Sequence, residues 1–194
     1  PNRQSWSKWH WVDAVADWNW AGYENKPLEV VVYSSCEKVE LSLNGKSLGS
    51  KTTDRGTRFM ATWQVPYGNG EIKAVGNRGR KIVSTAVLKT AQPPVLLHMK
   101  PDKTELSGNG QDLCYITVEL RDKEGIRNPK AENPVKFEIE GPGTIEAVGN
   151  ANPVSVESCT LPQRKAWQGR CLVIVRAGKE SGKITLRATS EGLQ

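Results

Sequence analysis

Carboxylates, thiols, imidazoles and indoles are the side chains of this sequence with chemistry to offer, and their spacing decides how far each reading goes. Cleavage of a glycosidic bond needs two carboxyl groups about 5 to 10 Å apart across a cleft. Glu29, Glu40, Glu71, Glu119 and Glu138 qualify by type, but each falls on the polar phase of an alternating apolar pattern, where a solvated side chain is expected. Cys36, Cys114, Cys159 and Cys171 lack CxxC spacing, and only His10 and His98 could join them around a metal. There is no HExxH or GxSxG run, and the two histidines lie in separate halves with no evident Ser or Cys partner. The expectation is no catalytic residue, no metal site and no cofactor. Each cysteine reads as a small buried apolar residue. A Cys159–Cys171 disulfide is expected only if the segments carrying them pair as neighbouring strands, with Cα atoms about 5.5 Å apart.

Tryptophan is the stronger signal. Seven occur in the chain and five fall in its first 20 residues, namely Trp6, Trp9, Trp11, Trp18 and Trp20. An indole face stacks on the C–H surface of a pyranose while its N–H finds a partner, so Trp18, Trp20 and the nearby Tyr23 are candidate carbohydrate contacts. The competing reading places Trp18 and Trp20 on either side of Asn19 in a strand, sharing one face and packing in the core or between domains. Trp6, Trp9 and Trp11 suit the cover of a neighbouring domain. Trp63 and Trp167 read as single core residues.

Strands must position these groups. Period-2 apolar patterns recur at Leu28 to Tyr33, Val39 to Leu43, Phe59 to Val65, Glu71 to Val75 and Lys81 to Leu88. Asn44-Gly45 reads as a two-residue type I′ loop joining Val39 to Leu43 to a second short strand that ends near Lys51, because Asn tolerates and Gly freely adopts the positive φ required. Pro93-Pro94 cannot donate ladder hydrogen bonds and marks a boundary between residues 1–91 and 92–194. Strand patterns resume at Val95 to Met99, Leu113 to Leu120, Val135 to Ile139, Thr144 to Val148, Cys171 to Val175 and Lys183 to Ala188. Leu120 to Gly125 and Glu140 to Gly143 read as hairpin turns, and Gly149 to Pro153 as a loop whose Asn and Gly residues are suited to left-handed backbone. The expected fold is all-β, two immunoglobulin-like β-sandwich domains in tandem.

Composition closes off several classes. No apolar run approaches the roughly 20 residues of a membrane span. The net charge of +6 is spread among acidic residues along the strands and forms no block, which argues against nucleic acid. The opening PNRQSWSKWHW has neither an initiator Met nor an apolar signal segment and reads as an excised piece of a longer polypeptide.

Asp17-Trp-Asn-Trp-Ala-Gly22, Val30 to Gly49 (VVVYSSCEKVELSLNGKSLG), Trp63 to Gly76 (WQVPYGNGEIKAVG), Val148 to Ser158 (VGNANPVSVES) and the closing ITLRATSEGL together resemble the C-terminal accessory region of bacterial family 2 glycoside hydrolases of the β-galactosidase type, common in gut Bacteroidetes. The resemblance covers nearly the whole chain. It implies a post-barrel domain followed by a terminal immunoglobulin-like domain, attached to an exported enzyme whose upstream barrel supplies both catalytic glutamates. It further implies a retaining mechanism for the parent enzyme, a periplasmic or extracellular location, and the upstream domains of the same polypeptide as partner, with carbohydrate as a second partner. The family often has His where this chain has Asp17, and an aromatic residue where it has Ser42. Ser42 makes that surface less apolar than in relatives. The expected function is support or packing for an upstream catalytic barrel. The alternatives are a carbohydrate-binding module using exposed Trp and, third, a cell-surface adhesion module, the last weakened because the two halves share no repeated motif.

Overall fold

The computed structural model describes residues 14–194. Trp6, Trp9, Trp11 and His10 lie outside the described residues. The chain divides into two compact units, residues 1–90 and 91–194, each built of antiparallel strands. Among the described residues no helix is long and apolar enough to cross a membrane. The fold is all-β and sandwich-like.

The first unit sets a two-stranded sheet against a four-stranded one. β1 (Pro27–Tyr33) pairs with β4 (Met60–Pro66), while β2 (Lys38–Leu43), β3 (Lys46–Thr52), β5 (Glu71–Arg78) and β6 (Lys81–Lys89) lie in the order β3-β2-β5-β6. Alternation puts Val39 and Leu41 of β2 and Ile72 of β5 inward, where they meet Ala61, Trp63 and Val65 of β4. Asn44 (φ 50°) and Gly45 (φ 79°) form the expected type I′ turn between β2 and β3. The Asn44 side chain then ties that turn to β5, accepting from the Glu71 amide at 2.8 Å and donating to the Asn69 carbonyl at 2.9 Å.

The second unit also has two sheets. β7 (Leu96–Pro101), β8 (Leu113–Arg121), β10 (Gly143–Gly149) and β12 (Arg170–Ala177) lie in the order β10-β12-β8-β7. β9 (Pro134–Glu140), β11 (Gln163–Lys165) and β13 (Thr185–Thr189) form the opposing sheet, in the order β11-β9-β13. Ile116, Val118 and Leu120 of β8 and Val173 and Val175 of β12 close onto Val135 and Phe137 of β9. Two amides link the ends of this unit: Gln194 N–H donates to the Val95 carbonyl and Leu97 N–H to the Gln194 carbonyl.

The expected hairpins in this unit are corrected by the topology. β8 and β9, and again β9 and β10, belong to opposite sheets, so the turns between them carry the chain across the core. The reversal after Leu120 lasts for a single bridge, Arg121 to Arg127. Alternation specifies which face of a strand is buried, not which strand lies beside it, and so cannot separate a hairpin from a crossover. β11, only three residues long, carries too little pattern to be read. The loop after β10 turns without left-handed backbone at residues 149–153; Asn150 and Asn152 instead accept from the amides two residues ahead. All four cysteines are free thiols. Cys36, Cys114 and Cys171 are buried as expected, but Cys159 is exposed in a loop while Cys171 pairs with Val118 inside the four-stranded sheet, so the disulfide condition is not met.

Asp122 is the most deeply buried charge, with 1% of its surface exposed. Its carboxylate accepts from the amides of Glu124 and Ile126 on one oxygen and of Gln92 on the other, each at 2.9 Å. Burial pushes this carboxyl up, but the three amides outweigh it and hold it below the usual carboxylate range. A carboxyl lowered in this way contributes stability that is complete above its unfolded pKa of about 4 and is lost as pH falls through the folded value.

Two measurements check this account. Asp122→Ala, which strands three amides, is expected to cost the second unit about 3 kcal/mol in urea denaturation at neutral pH, and to flatten the decline of stability on the acid side. Gly45→Ala and Gly141→Ala place a Cβ at positive φ in both cases (79° and 97°), but open space surrounds the first while the second would sit 2.1 Å from the Lys183 carbonyl oxygen. The first is expected to cost about 1 kcal/mol and the second about 3 kcal/mol.

Candidate functional site

The three aromatic residues singled out from the sequence do not form one platform. Residues 17–20 are not a strand. Trp18 is only 3% exposed; its indole donates to the Gly68 carbonyl at 3.0 Å and its ring meets Tyr67 edge-on at 5.2 Å. Tyr67 is itself buried and its hydroxyl meets Asn69 Oδ1 at 2.7 Å. The Trp18 carbonyl accepts from Thr90 Oγ1 at 2.8 Å, closing the segment onto the end of the first unit. Trp18 is thus a core residue that offers no face to a ligand, which is the packing reading.

Trp20 and Tyr23 stand at the surface. Trp20 is half-buried and donates to the Asp17 carbonyl at 3.2 Å, with its ring 6.1 Å from that of Tyr23. Tyr23 is 47% exposed, and the Lys26 ammonium sits 5.0 Å from its ring centre while donating to the Gly22 carbonyl. A cation over an aromatic face competes with a sugar for that face. Trp63 is a core residue as expected, 6% exposed, with Lys51 against its ring.

A second location was not visible in the sequence. A groove of about 440 Å³ opens on the four-stranded sheet of the second unit. Its floor is the cross-strand row Thr117, Leu172 and Gly149, which faces away from the core residues Val118 and Val173. Arg127, Trp167, Gln168 and Arg170 wall it on one side and Asn150 on the other. Trp167, expected in the core, is instead half-buried at this groove. Gln168 (φ 51°) and Gly169 (φ 72°) form a two-residue turn in which Trp167 and Arg170 exchange backbone hydrogen bonds, so the two side chains are presented together. The turn is of the same kind as Asn44-Gly45, but Gln in place of Asn hides it from a search for turn residues.

Electrostatics favour an anion here. Glu119 is half-buried between two guanidinium groups, Arg121 at 2.7 Å and Arg170 at 2.7 Å. Burial raises its carboxyl, and the Arg121 and Arg170 hydrogen bonds prevail, keeping it ionised below the usual carboxylate range. A carboxyl so held is unsuited to act as a general acid near neutral pH. Among the described residues no group of His, Cys, Asp and Glu could hold a metal. Burial pushes the Cys171 thiol up to about 12, which leaves it protonated and unreactive.

Residues 97–194 match glycoside hydrolase family 2 C-terminal domain 5, and residues 25–84 match a domain of unknown function (DUF4982). Among curated proteins, the chain is 38% identical to the β-galactosidase BoGH2A of Bacteroides ovatus over 91% of its own length and 21% of that protein's. It is 28% identical to a β-glucuronidase of Formosa agariphila over 94% of its length and 18% of the relative's. Among solved structures, a family 2 glycosyl hydrolase from Bacteroides cellulosilyticus superposes with a TM-score of 0.92 at 45% identity, covering 97% of this chain and 25% of that one. A β-glycosidase from Bacteroides vulgatus gives a TM-score of 0.87 at 32% identity, over 92% of this chain and 23% of that one. The chain thus spans about a fifth to a quarter of the length of these relatives. It belongs to glycoside hydrolase family 2 and corresponds to the C-terminal accessory region of that family's proteins.

Proposed function

We propose that this region is a non-catalytic accessory part of an exported, retaining glycosidase of the β-galactosidase type, whose upstream domains carry the acid/base and the nucleophile and rest against the first unit. The observation that carries the reading is β6. It is the outer strand of its sheet and is exposed at every position except Leu88. The two-stranded sheet is too narrow to cover it. A bulge opposite Gly76 and Asn77 shifts its alternation, so Ile82, opposite Asn77, faces the same side as Val87, opposite Lys73. Ile82, Val83 and Val87 are 63%, 44% and 41% exposed.

Natural proteins blunt a free edge with charge, proline or an unusually short strand. Here only Lys81 and Lys89 stand at the ends, and the seven residues between them, Ile-Val-Ser-Thr-Ala-Val-Leu, contain no charge, Gly or Pro. Such a run left in water is an aggregation hazard. Cover by the remaining four-fifths of a glycosidase polypeptide removes that hazard and fixes the accessory region at the same time. Each exposed Val or Ile buried there contributes on the order of 1 kcal/mol. Location in the periplasm or outside the cell follows from the exported habit of the enzymes this region resembles. The adhesion reading gains nothing from β6, and the carbohydrate-module reading loses Trp18.

The Val83→Lys, Val87→Lys double variant tests this. In the isolated chain it is expected to reduce self-association with little change in unfolding temperature, whereas in the full-length enzyme it should speed proteolysis between Thr90 and Val95. An unchanged full-length digest would overturn the docking reading. The isolated chain is expected to leave nitrophenyl β-galactoside intact; turnover above a buffer blank would overturn the non-catalytic one.

A further inference from the structure

We propose that the groove on the second unit is a binding site for a short oligosaccharide bearing a uronic acid. Three independent features of its lining support this assignment. An aromatic residue, Trp167, lies beside a floor whose Leu172 is apolar and whose Thr117 carries a hydroxyl, which is the pairing that the C–H and hydroxylated faces of a pyranose require. Arg127 and Arg170 supply two guanidinium groups, whose N–H donors form charge-assisted hydrogen bonds with a carboxylate. The volume of about 440 Å³ falls within the range of small-molecule sites and suits one or two sugar rings.

The hydrogen-bonding inventory supports a ligand of many hydroxyls. Asn150 is held by three hydrogen bonds, donating to the Lys165 carbonyl at 2.7 Å and accepting from Arg164 at 3.2 Å and from the Asn152 amide at 3.1 Å, and so serves as a fixed wall. Four other groups at the groove have no partner among the described residues: the Thr117 hydroxyl, the Trp167 indole N–H, the Gln168 amide and Nη1 of Arg170. Arg170 is aimed by Glu119, which holds its Nε at 2.8 Å and its Nη2 at 2.7 Å and leaves the third nitrogen unused. Arg127 is likewise fixed by donating to the Gln168 carbonyl. Donors held in place before a ligand arrives lose little freedom on binding. Arg127 and Arg170 line the groove and Lys100 stands opposite Thr117 of its floor, so that with Glu119 beside Arg170 the charge there is positive. A neutral sugar makes no use of it; a uronate does. Gln168 itself occupies a left-handed conformation that costs a non-glycine residue about 1 kcal/mol, a cost borne where its longer side chain lines the groove.

The experiment is a titration of the isotope-labelled 194-residue chain, following the tryptophan indole N–H signals, with trigalacturonate as the acidic probe and galactotriose as its neutral counterpart. Trp167→Phe assigns the Trp167 signal, and dispersed backbone amide signals of β8, β9 and β12 report an intact second unit in each variant, while Trp18 and Trp63 serve as references in the first unit. Trigalacturonate is expected to move the Trp167 signal with a Kd of about 1 mM or tighter, weakening as salt is added, while Trp18 and Trp63 stay still. Trp167→Ala is expected to weaken binding at least about tenfold, and Arg127→Gln to remove the preference for the acidic sugar while the turn signals of Gln168 and Gly169 remain dispersed. Absence of movement at about 10 mM probe, well above that Kd, would overturn the site. Equal binding of galactotriose would overturn the uronate assignment, and undiminished binding by Trp167→Ala would place the ligand elsewhere. None of these outcomes bears on whether β6 docks against other domains, which the proteolysis of the full-length enzyme reads separately.

Discussion

A β-sheet holds together in water only when one of its faces is covered, and in the first unit two strands are set to cover four. Val39, Leu41 and Ile72 reach that cover through Ala61, Trp63 and Val65, while the inward positions of β6, Ser84 and Ala86, remain exposed. Trp18 and Tyr67 thicken the core at the end near Thr90, which is why an indole that could have met a sugar is spent on packing. The exposed flank of β6 is the remainder of the same imbalance. The second unit, with four strands against three, has no such shortfall, and its core residues come from both sheets.

This difference separates the roles of the two units. The first keeps an apolar, uncharged strand at its edge, a surface that fits protein better than water. The second keeps a groove lined by Trp167, Leu172 and guanidinium groups on the outer side of a well-covered sheet.

The chain divides after Thr90, just before the Pro93-Pro94 pair, and strand positions were legible because alternation and turn chemistry are local properties. Sheet partners were not, since a strand with a buried face carries no label for its neighbour; the crossovers at Gly125 and Gly141 looked like hairpins for that reason. The candidate groove was illegible for a different one. Thr117, Arg127 and Trp167 are far apart in sequence and meet only through the pairing of β8 with β12 and the turn that Gln168 disguises. Trp18, Trp20 and Tyr23 drew attention by proximity in the chain, but burial then sorted them: one inside, one partly covered, one with a lysine over its ring. Glu119 read as an ordinary solvated side chain because the arginines beside it come from another strand and from two residues further on.

The hydrogen bonds joining Gln194 to Val95 and Leu97 bring the two ends of the second unit side by side. A domain whose ends meet adds almost no reach to the polypeptide that carries it. A pull applied between Val95 and Gln194 would load those two hydrogen bonds before it reached the core of either sheet.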